Sequence, residues 1–135
     1  MAIKLLVDSA CDIDIDEAKS LGIEMIPMEI NFGVDESYFD GVTLKAHQFY
    51  EKLIAGCEFP HTSQINEYRF TEKFEEMTKD GSEVLCIVMS SNLSGTYLCA
   101  KAAAEKFDGK VVAVDSLNAA MGERILIDYA MRLIS

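Results

Sequence analysis

None of the four cysteines, Cys11, Cys57, Cys86 and Cys99, forms a CxxC pair, which leaves zinc-ribbon and thioredoxin-like readings without support. Histidine is scarce: only His47 and His61 are available as bases. The chain lacks the GxSxG elbow of α/β-hydrolases, the GxxxxGK[ST] phosphate loop and the GxGxxG dinucleotide fingerprint. No apolar run approaches the length of a membrane span. The opening, "MAIKLLVDSACD", is too short and too soon acidic for a secretory signal, so a cytoplasmic location is expected. Positive charge is also short, with 12 Lys and Arg against 23 Asp and Glu and a net charge of −11. That field repels phosphate backbones and anionic membrane surfaces, so nucleic acid is a poor partner; solubility accounts for the charge. Repeats, low-complexity tracts and linkers are missing as well.

What is present suits one ordinary domain. The 135 residues are 50% apolar, enough for a packed core. "IKLLVDS" reads as a strand, and "DIDEAKSLG" as a short helix with an Asp cap and a glycine stop. "IEMIPMEINF" reads as a second strand, with Pro27 marking an edge or bulge. "GVDESYFDGVT" reads as turn. Thr43 is the expected cap of a helix over "LKAHQFYEKLIAG", with Phe49, Leu53 and Ile54 on one face. "CEFPHTSQ" reads as loop and "INEYRFTEKFEEMTKDG" as a helix with Tyr68, Phe70, Phe74 and Met77 at its apolar positions. "EVLCIVM" and "KVVAVDS" read as further strands, "GTYLCAKAAAEKF" and "NAAMGERILIDYAMRLIS" as further helices. The alternation predicts an α/β fold, a mostly parallel sheet flanked by helices. Cys86 falls in a strand and Cys99 in a helix, and both are expected to be reduced, partly buried thiols.

Three of the strands end in serine-bearing turns: Asp8-Ser9, Ser90-Ser91 and Asp115-Ser116. A parallel sheet brings such ends to one edge, where ligands of α/β sheets sit. "SSNLSGTYLCA" is the richest of them in hydroxyls. Its local reading is a helix cap at Ser94, and Thr62-Ser63 before "QINEYRF" has the same reading. Its sharper reading is an anion site: hydroxyls donate to a carboxylate, and Gly95 and Thr96 open a helix whose free N–H groups face the same way. Asp8-Ser9 and Asp115-Ser116 read as strand-end caps. Tyr97, Phe70, Phe74, Met25 and Met28 read as core.

Five stretches together resemble the DegV family: "VDSACDI", "IPMEINF" with "ESYFDG", "TSQ", "MSSNLSGTY" and "VVAVDSLNAAMG", in that order. Characterised members of that family are fatty-acid-binding subunits of bacterial fatty acid kinase. The resemblance implies two α/β domains, of which residues 1–135 are similar to the first, with the second absent and the chain stopping in mid-helix. It implies a long-chain fatty acid as ligand, with no cofactor, metal or catalytic residue of its own. The carboxylate falls to Thr62 and Ser94, with support from Ser63, Gly95, Thr96, Ser9, Ser91 and Ser116. The implied protein partner is the kinase's catalytic subunit, which phosphorylates the presented carboxylate in the service of phospholipid synthesis. The chain departs from the family pattern at Ala10, at Ile65 in place of the usual Pro, and at Glu123-Arg124. A lone domain of this kind exposes an apolar face and is expected to self-associate.

Other classes stay in play. A truncated domain serves as a regulatory or interaction module. A serine acyl hydrolase uses Ser94 or Ser91 as nucleophile with His61 or His47 as base. A phosphate- or nucleotide-binding module uses the same hydroxyl turn.

Overall fold

The computed structural model describes residues 2–135. A four-stranded, wholly parallel sheet runs in the order β2-β1-β6-β7. Its strands are β1 (Ile3–Asp8), β2 (Glu24–Ile26), β6 (Glu83–Val88) and β7 (Val111–Asp115). Side chains alternate across each strand, and the two resulting faces build separate cores. Leu6, Val84, Cys86 and Val88 face α3 (Glu67–Thr78) and α4 (Thr96–Ala104), meeting Phe70, Phe74, Met77, Ala100 and Ala103. Leu5, Val7 and Ile87 face α1 (Ile15–Leu21) and α5 (Ala120–Ile134), meeting Ala18, Ile127 and Ala130. The expected parallel α/β sandwich is therefore present.

A second sheet was not foreseen. It is antiparallel, in the order β4-β3-β5, from β3 (Glu29–Phe32), β4 (Glu36–Phe39) and β5 (Pro60–Ser63). "IEMIPMEINF" is thus two strands in two sheets rather than one. Pro27 lies at the break, where its missing N–H removes a ladder donor. Its carbonyl instead accepts from Arg69 Nη2 at 2.7 Å, and Met28 N donates to Ser9 Oγ at 3.0 Å. The stretch read as turn contains β4, and the stretch read as loop contains β5. Both are short, polar strands whose pairing comes from β3, which no local pattern reveals.

Caps differ too. Asp14 caps α1, and Gly22 ends it at φ 71°, as expected. Thr43 does not cap α2 (Ala46–Ala55); its Oγ1 accepts from Phe39 N at 2.7 Å, closing the turn before the helix. Of the three apolar α2 positions expected on one face, Phe49 packs against Ile30, Phe32 and Leu44, while Ile54 is 87% exposed. Thr62 and Ser63 lie in β5 and cap nothing, because Asn66 Oδ1 caps α3 by accepting from Arg69 N at 2.9 Å. Tyr68 is on the solvent face, not in the core. Met25, Met28, Phe70 and Phe74 are buried as expected. Cys86 is buried and Cys99 half-buried.

Phe74 is 0% exposed, stacked on Phe70 at 5.7 Å and edge-on to Phe107 at 5.8 Å. Phe74→Ala is expected to lower the unfolding free energy by about 3–5 kcal/mol. Tyr68→Ala is expected to cost less than ~0.5 kcal/mol. Urea denaturation of both variants checks the contrast.

Candidate functional site

The carboxyl ends of β1, β6 and β7 lie side by side, as the parallel order requires. Their turns are sewn together by backbone and acidic side chains. Asp8 Oδ2 accepts from Met89 N at 2.8 Å, and Asp8 Oδ1 from Ala10 N at 3.0 Å. Asp115 Oδ1 accepts from Ser91 N at 3.1 Å and Leu117 N at 3.0 Å. The Ser91 hydroxyl also donates to Asp115, and this bond leads the effects that hold the Asp115 carboxyl below the usual range. Ser90 N donates to the carbonyl of Asn118 at 2.8 Å. Ser116 Oγ bonds both the carbonyl and the N–H of Asn118, at 3.1 and 3.2 Å. These contacts hold a turn in which Leu117 sits at φ 55° and Ala120 at φ 52°, a region that costs side-chain-bearing residues energy.

Ser94 stands in the turn between β6 and α4. Gly95, not Ser94, is the residue flanking α4, yet Ser94 Oγ accepts from Thr96 N at 3.2 Å and so serves the helix end. It also pairs with Thr96 Oγ1 at 2.9 Å. Thr96 is fully buried, and its hydroxyl accepts from Ile65 N at 3.3 Å. The proline usual in the resembled family at this position would have no N–H to give. Gln64 Nε2 reaches Cys99 Sγ at 3.6 Å, and a Cβ at Gly95 would collide with the Gln64 side chain. The glycine thus leaves room for the present position of the Gln64 amide. Thr96, Gln64 and Asn66 organise this junction. Thr96 was expected as a supporting residue and Gln64 falls in the TSQ stretch, whereas Asn66 was missed although it is an N-cap type directly before an amphipathic helix.

Thr62 is exposed on β5, opposite Ile30 of β3. It borders a cavity of about 610 Å³ whose walls include Ile30, Leu44, Phe49, Tyr50 and Pro60. Ser63 Oγ faces elsewhere and accepts from Asn31 Nδ2 at 2.9 Å. A second cavity of about 500 Å³ shares Asp12, Asp40, Ala46 and Tyr50 with the first and includes Ser9. Burial pushes the Asp40 carboxyl up, opposed by the Ser9 hydroxyl and reinforced by the Asp12 charge. No lysine or arginine lines either cavity among the described residues. The nearby cations are paired: Lys45 with Asp14 at 3.4 Å and Asp16 at 2.9 Å, Arg124 with Glu17 at 2.8 Å. His61 borders the larger cavity and His47 is exposed on α2. Ser94 and Ser91 pair with Thr96 and Asp115, not with a histidine, among the described residues. Of the expected carboxylate holders only Thr62 lines the larger cavity, whose walls mix apolar side chains with Asp12, Asp40 and His61; Ser94 lies outside that lining, and no serine–histidine hydrogen bond is present among the described residues. Asp8, Cys11 and Glu123 lie together in the interior. Their number falls short of the four ligands of a structural zinc site, and burial pushes the Cys11 thiol up to about 12.

The chain belongs to the DegV family: the family's profile, described as "Uncharacterised protein, DegV family", matches residues 2–135. A DegV domain-containing protein of Clostridium perfringens is 38% identical over 98% of this chain and 47% of its own length. A solved structure described as showing fatty acid binding of a DegV family protein from Thermus thermophilus superposes with a TM-score of 0.86 at 31% identity, over 98% of this chain and 47% of that one. DegV from Bacillus subtilis, described as a fatty acid binding protein, gives a TM-score of 0.88 at 29% identity, over 99% of this chain and 48% of that one. The chain spans about half the length of the relatives it matches. Among the described residues no helix is long and apolar enough to cross a membrane.

Thr96→Val keeps the volume of a fully buried side chain but leaves the Ile65 N–H without its acceptor. The expected loss is about 1–3 kcal/mol of unfolding free energy. Ser94→Ala is expected to cost less, because solvent can replace its bond to a first-turn amide. Chemical denaturation of the two variants side by side checks the order.

Proposed function

We propose that this chain binds a long-chain fatty acid, its carboxylate held by the hydroxyls of Thr62 and Ser94 and its acyl chain laid along the apolar hollow beside Thr62. The observation that carries the reading is the junction of the two segments. The 62–65 strand end is fastened to the 94–96 turn through Ile65 N and Thr96 Oγ1, beside a cavity walled by Ile30, Leu44 and Phe49. The fatty-acid-binding descriptions of the Thermus and Bacillus relatives support the same ligand class. Gly95 and Thr96 open α4, whose positive end is worth ~0.3–1 kcal/mol toward an anion, while the Thr96 N–H itself is given to Ser94 Oγ. Each buried CH₂ contributes about 0.8 kcal/mol, so the chain sets affinity and the hydroxyls set orientation.

With acidic residues around the cavity and no cation lining it, the head group stays partly solvated or meets a positive charge from outside these residues. Half of the relatives' length lies beyond this chain's match, and the second wall of the acyl site is assigned to that part. The family resemblance adds the role: the chain presents the acid, and a separate kinase subunit phosphorylates the carboxylate. Thr62 and Ser94 then act as holders of the substrate and not as catalysts.

Ser94→Ala and Thr62→Ala are each expected to weaken binding of oleate by ~10-fold or more while leaving its methyl ester unchanged. Titration of a fluorescent acid in competition with both ligands checks it. Variants that keep the full preference for the free acid would sink the assignment. The open side of the parallel sheet supports self-association as well. There Val112, Leu126, Tyr129 and Leu133 surround an apolar hollow of about 450 Å³. Light scattering of the chain is expected to show a concentration-dependent mass, and a constant monomer mass counts against it.

A further inference from the structure

Glu123, in the first turn of α5, is 0% exposed. Neither of its carboxyl oxygens receives a hydrogen bond from any N–H or O–H donor among the described residues. Asp8 is equally buried, and its carboxyl and that of Glu123 come within 4.8 Å of each other and of Cys11 Sγ. The two acids are not equivalent. Both Asp8 oxygens accept backbone N–H groups, from Ala10 and Met89. Cys11 Sγ donates to the Asp8 carbonyl at 3.1 Å and offers Glu123 nothing.

The remaining charged and titratable neighbours do not relieve Glu123. Asp12 follows the Ser9–Cys11 turn and repels it, Asp40 repels Asp8, and the buried Cys86 thiol, raised by burial and by both acids, offers no positive charge. Arg124 turns outward, bonding Glu17 at 2.8 and 3.1 Å and approaching Asp128 at 3.7 Å. Two adjacent buried carboxylates do not both ionise without a cation between them. The acid with amide donors keeps the charge, and the acid without them keeps the proton.

We propose that Glu123 is held as a neutral carboxylic acid that donates its proton to the Asp8 carboxylate, and that through Asp8 it positions Met89 and the hydroxyl turn that follows. Glu123 is thus a positioning residue for head-group recognition, two hydrogen bonds from Met89, where the hydroxyl turn begins. Burial first, and the Asp8 charge second, push Glu123 up to about 10. The folded chain therefore keeps a proton that the unfolded chain releases between the ordinary glutamate value of 4.5 and about 10. Stability from this group is greatest at acid pH and falls as pH rises through that window.

The test uses the full chain with Glu123→Gln, which still donates but cannot ionise, and Glu123→Leu, which does neither. The wild-type-minus-Gln infrared difference spectrum at neutral pH is expected to show the C=O stretch of a protonated carboxylic acid. Between pH about 5 and about 9 the melting temperature of the wild type should fall relative to Glu123→Gln. A missing acid band or a pH-independent difference overturns the inference. So does a divalent metal that the wild type retains and Glu123→Gln loses. The ligand arm rests on the fatty-acid reading. Glu123→Gln should keep the preference for oleate over methyl oleate, and Glu123→Leu should lose it by several-fold. Equal preference in all three chains overturns the positioning role. Should the wild type take up no oleate, the fatty-acid reading fails by itself, and the spectrum and melting curves still decide the state of Glu123.

Discussion

The carboxylate of Asp8 is the point on which the carboxyl edge of the parallel sheet depends. It terminates β1, closes the Ser9–Cys11 turn through Ala10 N, and crosses to β6 to fix Met89 N. A backbone hydrogen bond to a charged acceptor contributes roughly 1.5–3 kcal/mol, and here two such bonds offset the burial of an anion. Asp8 fixes the first residue after β6, and Asn118 and Asp115 of the β7 turn fix the next two through Ser90 N and Ser91 N. The packing of Phe70 and Phe74 explains why the domain is stable, whereas Asp8 explains why its edge has a defined shape.

The hydroxyl-bearing positions divide by what they bond. Ser9 and Ser116 are buried, and both spend their oxygens on the protein itself, Ser9 on Met28 N and Ser116 on Asn118. Ser91 serves Asp115, and Ser63 serves Asn31. Thr62 stays open on its cavity, and Ser94 is half-buried with a hydroxyl partner that can itself re-orient. A turn rich in serine is thus mostly scaffolding, which keeps a small number of donors in place.

How much of this was legible follows the range of the interactions. The parallel sheet, the five α-helices and the alignment of three serine-bearing ends came from periodicity and capping signals that act within a few residues. β4 and β5 were hidden because "ESYF" and "PHTS" become strands only by pairing with β3. Thr43 has the right type and spacing for a cap, yet the turn at Phe39 takes its hydroxyl. Glu123 stood out in the sequence only as a charged residue at an odd place; its meaning needs Asp8, which is 115 positions earlier and brought close by the β1–α5 packing. The motif order pointed to Thr62 and Ser94, but the junction through Ile65 and Thr96 is visible only in three dimensions.

The break at Pro27 places the two hydroxyls on opposite sides of a seam. Thr62 belongs to the antiparallel sheet, and Ser94 follows the parallel one. Strand ladders stiffen each side internally, while side-chain contacts such as Arg69 to Pro27, Ser9 to Met28 and Thr96 to Ile65 span the gap. Single hydrogen bonds of this kind yield more readily than a ladder. The 62–65 and 94–96 segments are therefore joined across the seam by side-chain hydrogen bonds, Ile65 N to Thr96 Oγ1 above all, and not by a shared strand ladder.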